Sequence, residues 1–456
     1  MLENISKATD IYEAALEALV ELSAKTGRIN MVDYIGLLKK EVVPAEGCTE
    51  PVAVAFAVSL AAEQLGADAT DVRLKLSANI IKNALGVGIP GTGMVGIEIA
   101  AALGAVVKQS EKRLEVLQGF SPEQLTAAKE LVEAHVVHVE QKATPEALYI
   151  EALLTDGTDA SRVIVCRDHT NVVRVEKNGE VLVDKPISVG VGDADGGTRL
   201  TVDGIYEFAT TAPFEDIKFV LDCVPMNTRV SEEGLRNSYG LEVGRRMSAG
   251  SNARGVLLNN LSLRLISATA AASDARMGGC PLSVMTCAGS GNQGLASSLP
   301  IIELGRALGS SDEDLARALV MSFLVVMHIK EYMGRLSPLC GSGIAGGTGS
   351  CCGMTYLQGG NLPEIKCAIN NMLATLQGMI CDGAKATCAL KIAAGTNAAI
   401  TSSTLALADI QPSSLEGIVF EDAEDTISHT GKLVREGFAT TDEAILSIML
   451  AKQLEN

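Results

Sequence analysis

Two hydrophobic periods alternate along the chain. Apolar residues recur every three to four positions over residues 8–25, 31–42, 50–65 and Met94–Val107, separated by glycine and proline. That spacing puts them on one face of an α-helix. "DVRLKLSA" (Asp71–Ala78) alternates every second residue instead and predicts a strand. Beyond residue 110 the pattern changes. "SPEQLTAAKELVEA" (Ser121–Ala134) predicts a helix with a capping box formed by Ser121 and Gln124. Strand-like runs follow: "HVVHVEQ", "ALYIEALLTD", "RVIVCRDH" and "NVVRVEKNGEVLVD", the last a hairpin turning at Asn178-Gly179. From about residue 228 the helical period returns. "SDEDLARALVMSFLVVMHIKEYMG" (Ser311–Gly334) has an acidic first turn and a glycine stop.

The simplest architecture is an α+β fold in which a mostly α-helical, discontinuous domain, residues 1–109 and 228–456, receives an inserted α+β domain at residues 110–227. The length of 456 residues suits this, because single cores rarely grow past ~300 residues. The longest apolar runs, Val52–Ala62 and Ala318–Met327, fall short of the ~18 residues of a membrane span. The N-terminal stretch reads as an amphipathic helix rather than a signal peptide, which places the protein in the cytoplasm.

Charge narrows the partners. Acidic residues exceed basic ones by 18, and tryptophan is absent. Such a surface repels nucleic acid and anionic membranes and offers few stacking platforms. The expected partner is a small molecule. Eleven cysteines, an odd number without the spacing of a secreted scaffold, indicate a reducing compartment. Most lie between Cys280 and Cys388.

"GVGIPGTG" (Gly86–Gly93) contains GxGxxG, but no strand immediately precedes it, so a dinucleotide site is disfavoured and a tight loop near a small ligand is preferred. No GxxxxGK[ST] loop exists, and Lys385 alone makes no case for a pyridoxal site. In "EGCTEPVAVAFAVSLAAE" Thr49 is a natural N-cap, with Glu50 and Pro51 in the first turn. Cys48 then sits at the positive end of a helix, where a thiol's pKa falls. "GGCPLSVMTCAGSGNQG" (Gly278–Gly294) offers Ser290, Asn292 and Gln293 to a carboxylate and an amine, while Cys280 and Cys287 read as structural. "LCGSGIAGGTGSCC" (Leu339–Cys352) reads as a flexible neutral loop carrying Cys340, Cys351 and Cys352. Downstream lie Cys381 and Cys388. No CxxC pair supports a zinc ribbon, and the ferredoxin spacing is absent, yet three thiolates gathered by tertiary structure would suffice for a [4Fe–4S] cluster with one open iron. The five histidines form no catalytic signature and read as core or surface residues.

Five of these segments together, "EGCTEPVAVAFA", "SANIIKNALGVGIPGTGMVGIEIAAALGA", "SDARMGGCPLSVMTCAGSGNQG", "GRLSPLCGSGIAGGTGSCCGMTYLQGG" and "MICDGAKATCALKI", resemble the L-cysteine desulfidase family, itself related to the α chain of iron–sulfur L-serine dehydratases. The resemblance covers essentially the whole chain. It implies a lyase that breaks L-cysteine into pyruvate, ammonia and sulfide without pyridoxal phosphate, on an oxygen-sensitive [4Fe–4S] cluster. The helical domain would hold that cluster. It implies Cys340, Cys381 and Cys388 as ligands, with Cys351 and Cys352 competing for the first position. Cys48 is either the base or a fourth, conditional ligand. Thr49, Asn83 and the Ser290–Gln293 turn would hold the amino acid. Serine dehydration is the runner-up, then a non-enzymatic iron–sulfur carrier or sensor, then a nicotinamide enzyme. A homodimer is the expected assembly, on base rates.

Overall fold

A computed structural model describes residues 32–187, 200–248 and 260–455. The helix expected at residues 8–25 lies outside them. The fold is α+β and mostly helical. The local signals of the sequence translate into elements. The capping box at Ser121 and Gln124 forms, opening helix Pro122–Glu133. The helix of the Ser311 segment runs Asp312–Met333, capped by the Ser311 side chain.

One sheet has six strands, in sequence β2 (Asp71–Leu76), β3 (Val137–Gln141), β4 (Tyr149–Thr155), β5 (Ala160–Cys166), β6 (Val172–Lys177) and β7 (Glu180–Asp184). Across the sheet their order is β3-β2-β4-β5-β6-β7. Only β2 and β3 are parallel; the other pairs are antiparallel. The helix Thr49–Leu65 packs on this sheet and is buried through Val52–Val58, while Ser161 of β5 donates to its Ala61 carbonyl at 2.7 Å. Helix Ile97–Val107 crosses it so closely that a Cβ on Gly104 would lie 2.4 Å from the Ala55 carbonyl.

The hydrophobic cores follow a partition different from a break at residues 110 and 227. One core unites helices Thr49–Leu65 and Ile97–Val107 with the sheet, and β2, from the first segment, lies inside that sheet. The other core takes helices Val202–Thr211 and Cys223–Arg236 in with the C-terminal helices. The amphipathic faces before and after the strands have to be buried, and each is buried on the element nearest in space.

A second ribbon is short but central. β1 (Pro44–Ala45) pairs antiparallel with β8 (Val284–Met285), and Thr286 N–H donates to the Val43 carbonyl at 2.9 Å. The chain leaves β1 toward Cys48 and leaves β8 toward Ser290. A single bridge, Leu339 with Ile380, does the same further on, with Cys340 N–H on the Met379 carbonyl (2.8 Å) and Cys381 N–H on the Pro338 carbonyl (2.7 Å). These two bridges bring four segments distant in sequence to one place.

The stretch Leu339–Cys352 is not a loop. Residues Ser342–Gly346 form a π-turn that runs into helix Gly347–Leu357, fully buried until its last turn. Its glycines are packing positions. A Cβ on Gly349 would lie 2.6 Å from the Ser322 carbonyl, and one on Gly353 would lie 2.8 Å from the Ala318 carbonyl. Four residues apart, they form a seam against helix Asp312–Met333. Glycine weakens an isolated helix by about 1 kcal/mol, and here close helix packing offsets that.

The same long helix carries His328, wholly buried, whose Nε2 meets Glu424 Oε2 at 2.7 Å. Burial disfavours its charge, but the hydrogen bonds it donates to Glu331 and Glu424 prevail and raise the imidazole pKa. The Glu424 pKa is lowered: burial works against this, and the His328 contact outweighs it. The sign follows by linkage. A raised histidine stabilises the fold below its unfolded pKa of ~6.5 and loses that contribution as pH rises; a depressed glutamate stabilises above ~4.5 and loses it as pH falls. Glu424→Gln should therefore cost about 3 kcal/mol near pH 5.5, and clearly less at pH 9, where a carboxamide can still accept from neutral imidazole. Denaturant unfolding at both pH values checks this; an equal cost at both would refute the charge pairing.

Candidate active site

One cavity gathers Cys48, Glu50, Asn83, His169, Arg276, Ser290, Asn292, Gln293, Lys330, Arg335, Cys340, Cys381, Cys388 and Lys391 among its walls. Every site residue expected from the sequence lines it except Thr49, which is buried beside it with a hydroxyl that has no hydrogen-bond partner. Cys351 and Cys352 stand outside it, fully buried in helix Gly347–Leu357. Cys280 and Cys287 do not line it either. The GxGxxG stretch follows helix Ala78–Ala84 rather than a strand and packs on the Gly278–Gly279 turn, with Gly88 N–H on the Met277 carbonyl at 3.2 Å.

The three thiols arrive from three local structures. Cys340 enters from the Leu339–Ile380 bridge and receives the Gly343 N–H at 3.4 Å. Cys381 follows Ile380 on the other side of that bridge, opposite Pro338. Cys388 opens helix Cys388–Ala406. The loop between the last two is held hard. Asp382 is paired with both Lys385 and Lys391. Gly383 has φ +95°, and a Cβ there would lie 2.1 Å from the Lys82 carbonyl. Lys82, wholly buried, donates to the Cys381 carbonyl at 3.0 Å and pairs with Asp442 of the C-terminal helix Thr441–Glu455. Burial first, then the charge of Cys381, raises the Cys340 pKa; burial, then Cys340 and Cys381, pushes Cys388 up to about 12. Cys340 and Cys388 thus both feel the charge of Cys381 across one space.

That donor set suits an iron–sulfur cluster. Among the described residues no three His, Cys, Asp or Glu side chains close on a point fit for a single ion. A polynuclear cluster takes one thiolate per iron, so its ligands stand further apart. Neighbouring ammonium groups, Lys391 and Lys330, oppose the negative charge of three thiolates. Lys330 is buried, and that burial lowers its pKa to about 8.

Cys48 departs from expectation. It, not Thr49, is the N-cap of helix Thr49–Leu65, as the dipole argument needs. Its thiol pKa nevertheless goes well up, because burial and then Glu50 dominate; Sγ donates to Glu50 Oε2 at 3.0 Å. A helix terminus contributes about 1 kcal/mol, too little against desolvation. Burial and Glu50 thus both oppose the thiolate expected from the sequence.

Two polar groups were missed by sequence reading. Arg276, in the last turn of helix Leu261–Met277, is 3 % exposed, makes no ion pair among the described residues and leaves Nε without a partner. Asp274, two residues away, accepts from Gly244 N–H at 3.0 Å instead. Gly291 makes room for the guanidinium, since a Cβ there would lie 2.4 Å from its Nε. His169, 2 % exposed, has both ring nitrogens unpartnered. The Asn292 Oδ1 acceptor is buried and unpartnered too. By contrast Ser290 Oγ caps Gln293 N–H (3.4 Å), and Gln293 Nε2 donates to the Cys287 and Ala288 carbonyls (3.0 and 3.2 Å). Those two side chains build the turn. Arg335 joins the two cores at the cavity edge, holding Glu41 and Asp168 at 3.1 Å each.

Residues 111–447 match the family described as the serine dehydratase alpha chain. The chain is also similar to UPF0597 proteins: 51 % identical over 423 residues to one from Clostridium perfringens strain SM101, covering 93 % of this chain and 99 % of that one. One from Parabacteroides distasonis is 42 % identical over 421 residues, covering 92 % and 97 %. One from Oleidesulfovibrio alaskensis is 42 % identical over 422 residues, covering 92 % and 98 %.

Proposed function

The chain belongs to the serine dehydratase alpha chain family, and we propose that it is a lyase that removes the β-substituent of a small L-amino acid: L-cysteine first, giving pyruvate, ammonia and sulfide, with L-serine as the second candidate. The observation that carries this is the company the three thiols keep. Beside them stand a buried, unpaired guanidinium donor and a buried, unpaired carboxamide acceptor. Buried polar groups are nearly always satisfied in folded proteins, so these two await a ligand. Arg276 is the place for an α-carboxylate, and Asn292 Oδ1 for an α-ammonium. Together they fit the head of an amino acid and leave its β-carbon free to face the thiols.

Cys340, Cys381 and Cys388 would hold an iron–sulfur cluster of the [4Fe–4S] type, supplying an open, Lewis-acidic iron for the departing group. A soft sulfur leaving group suits iron in a sulfur environment, which puts cysteine ahead of serine. The remaining walls do what side chains can do. Arg276 fixes the carboxylate by charge-assisted bonds. Cys48, held protonated by Glu50, is a thiol donor on the wall rather than the base. Asn83 closes the side next to the Cys381 loop, which Lys82 holds in place. The domain roles proposed are a helical unit that holds the cluster and a sheet unit that closes over the substrate.

The test is an anaerobic assay of iron- and sulfide-reconstituted protein on L-cysteine and L-serine in parallel. Pyruvate should form from cysteine with matching sulfide, at a kcat/KM at least about tenfold above that for serine. A reversed preference would make the protein a serine dehydratase. A loaded cluster without pyruvate from either substrate would favour a carrier or sensor.

A further inference from the structure

We propose that His169 is the base that takes the Cα proton, so that the six-stranded sheet contributes a catalytic side chain to the cavity. This rests on the lyase reading above. The turn between β5 and β6 is made to present this residue. Arg167 takes a left-handed conformation, φ +69°. Cys166 N–H bonds the Asn171 carbonyl at 3.1 Å, and Asn171 Nδ2 donates to the Cys166 carbonyl at 2.9 Å, closing the turn on itself. Asp168 Oδ1 accepts from Thr170 N–H at 3.1 Å, while its other oxygen reaches Arg335 at 3.1 Å. That ion pair pins the turn to the rim of the cavity. His169 then lies within the wall, 2 % exposed, and neither ring nitrogen has a partner.

A buried histidine normally spends at least one nitrogen on a structural bond. This one spends none. The groups that face it explain its state. Burial dominates and lowers its pKa, Glu50 and Asp168 work against that, and Arg335 works with it. At neutral pH the ring is therefore uncharged, with one nitrogen free to accept. The alternatives are engaged otherwise. Cys48 is protonated and bonded to Glu50, and that bond also engages Glu50. Lys330 stands among the thiols.

The step balances as an elimination. The Cα–H bond breaks, and the proton goes to an imidazole nitrogen. The C–H electron pair becomes the second Cα–Cβ bond. The Cβ–S bond breaks with its pair leaving on sulfur as hydrosulfide, or Cβ–O as hydroxide for serine. The aminoacrylate released takes a proton on Cβ to become an imine, and one water hydrolyses that imine to pyruvate and ammonia. The imidazolium returns its proton to the leaving group or to Cβ, restoring neutral His169.

The experiment compares wild type, His169→Ala and His169→Gln, all reconstituted anaerobically, with iron content, KM, kcat and the pH dependence of kcat/KM measured on L-cysteine and L-serine. Both variants should keep their iron and a KM within about threefold, and lose about 10²–10⁴-fold in kcat. Added imidazole should restore part of the rate in His169→Ala, where a cavity is left, and not in His169→Gln. The wild-type profile should fall on the acid side below about pH 6.5, and that limb should vanish in the variants. Wild-type rates in the variants, or a rate loss with iron loss that imidazole does not mend, would overturn the assignment while leaving the lyase reading intact. A wild type that makes no pyruvate from either amino acid would overturn the lyase reading first, and this assignment with it.

Discussion

Cys340→Ala, reconstituted anaerobically and desalted, is expected to emerge nearly free of iron, its affinity for the metal down by well over 100-fold and pyruvate formation down with it. Even an indirect contact to a metal site is worth 10–100-fold, and a ligand is worth more. The fold should barely notice. The Cys340 backbone carries the structural load there: its N–H bonds the Met379 carbonyl, and its own carbonyl accepts from Ile344. Alanine keeps both bonds. Only a buried sulfur is lost, at about 1 kcal/mol. Cys351→Ala and Cys352→Ala should behave in the opposite way. Both thiols are fully buried in the helix that packs on Asp312–Met333, away from the cavity. Their truncation should lower the melting temperature slightly and leave iron in place. Iron measured against chain concentration, with the melting temperature of each apoprotein, separates the two patterns. Iron retained in Cys340→Ala but lost in Cys351→Ala would move the cluster into the helix interior and undo the site as assigned.

A signal in this sequence is legible when it acts over a short range. The capping box at Ser121 and the Asn178-Gly179 hairpin are local, and both form. The Cys48 environment depended on a direction. Glu50 is visible two residues away, but nothing in the letters says that its carboxylate turns back onto a thiol that is itself removed from water. The Gly-rich stretch at Leu339–Cys352 failed for a related reason. A run of glycines is permissive in a loop and also necessary where two helices touch backbone to backbone; only the partner helix distinguishes the cases. His169 and Arg276 were passed over because their signal is a missing partner. An arginine in a helix's last turn is ordinary. An arginine there that makes no ion pair among the described residues becomes informative only once its surroundings are known. The sheet shows the same limit. β2 was legible as a strand, but its place between β3 and β4 follows from burial of helix Thr49–Leu65, not from any feature of its own residues.

Arg276 gives the second large effect, and it should run in two directions at once. A guanidinium keeps its charge at any accessible pH, and burying one without a counter-ion costs several kcal/mol. Arg276→Met, similar in length and apolar, removes that cost. The substrate-free protein should become more stable by about 1–3 kcal/mol, seen as a higher melting temperature. The same change deletes the proposed anchor for the α-carboxylate. A charge-assisted, desolvated contact of this kind is worth about 2–5 kcal/mol, so kcat/KM should fall about 30- to 4,000-fold. KM should carry most of that loss, because the carboxylate is bound before and during the elimination alike. Arg276→Lys should recover only part of it, since an ammonium on a shorter stem cannot present the paired donors of a guanidinium. Iron content is the control, because Arg276 belongs to a helix that contributes no thiol to the cavity. A variant less stable than wild type, with an unchanged KM, would mean that the guanidinium serves the fold and that the carboxylate binds elsewhere. A variant both more stable and unable to bind substrate would identify a group kept against the interest of the fold, and in a cavity that also holds three converging thiols its purpose is the amino acid.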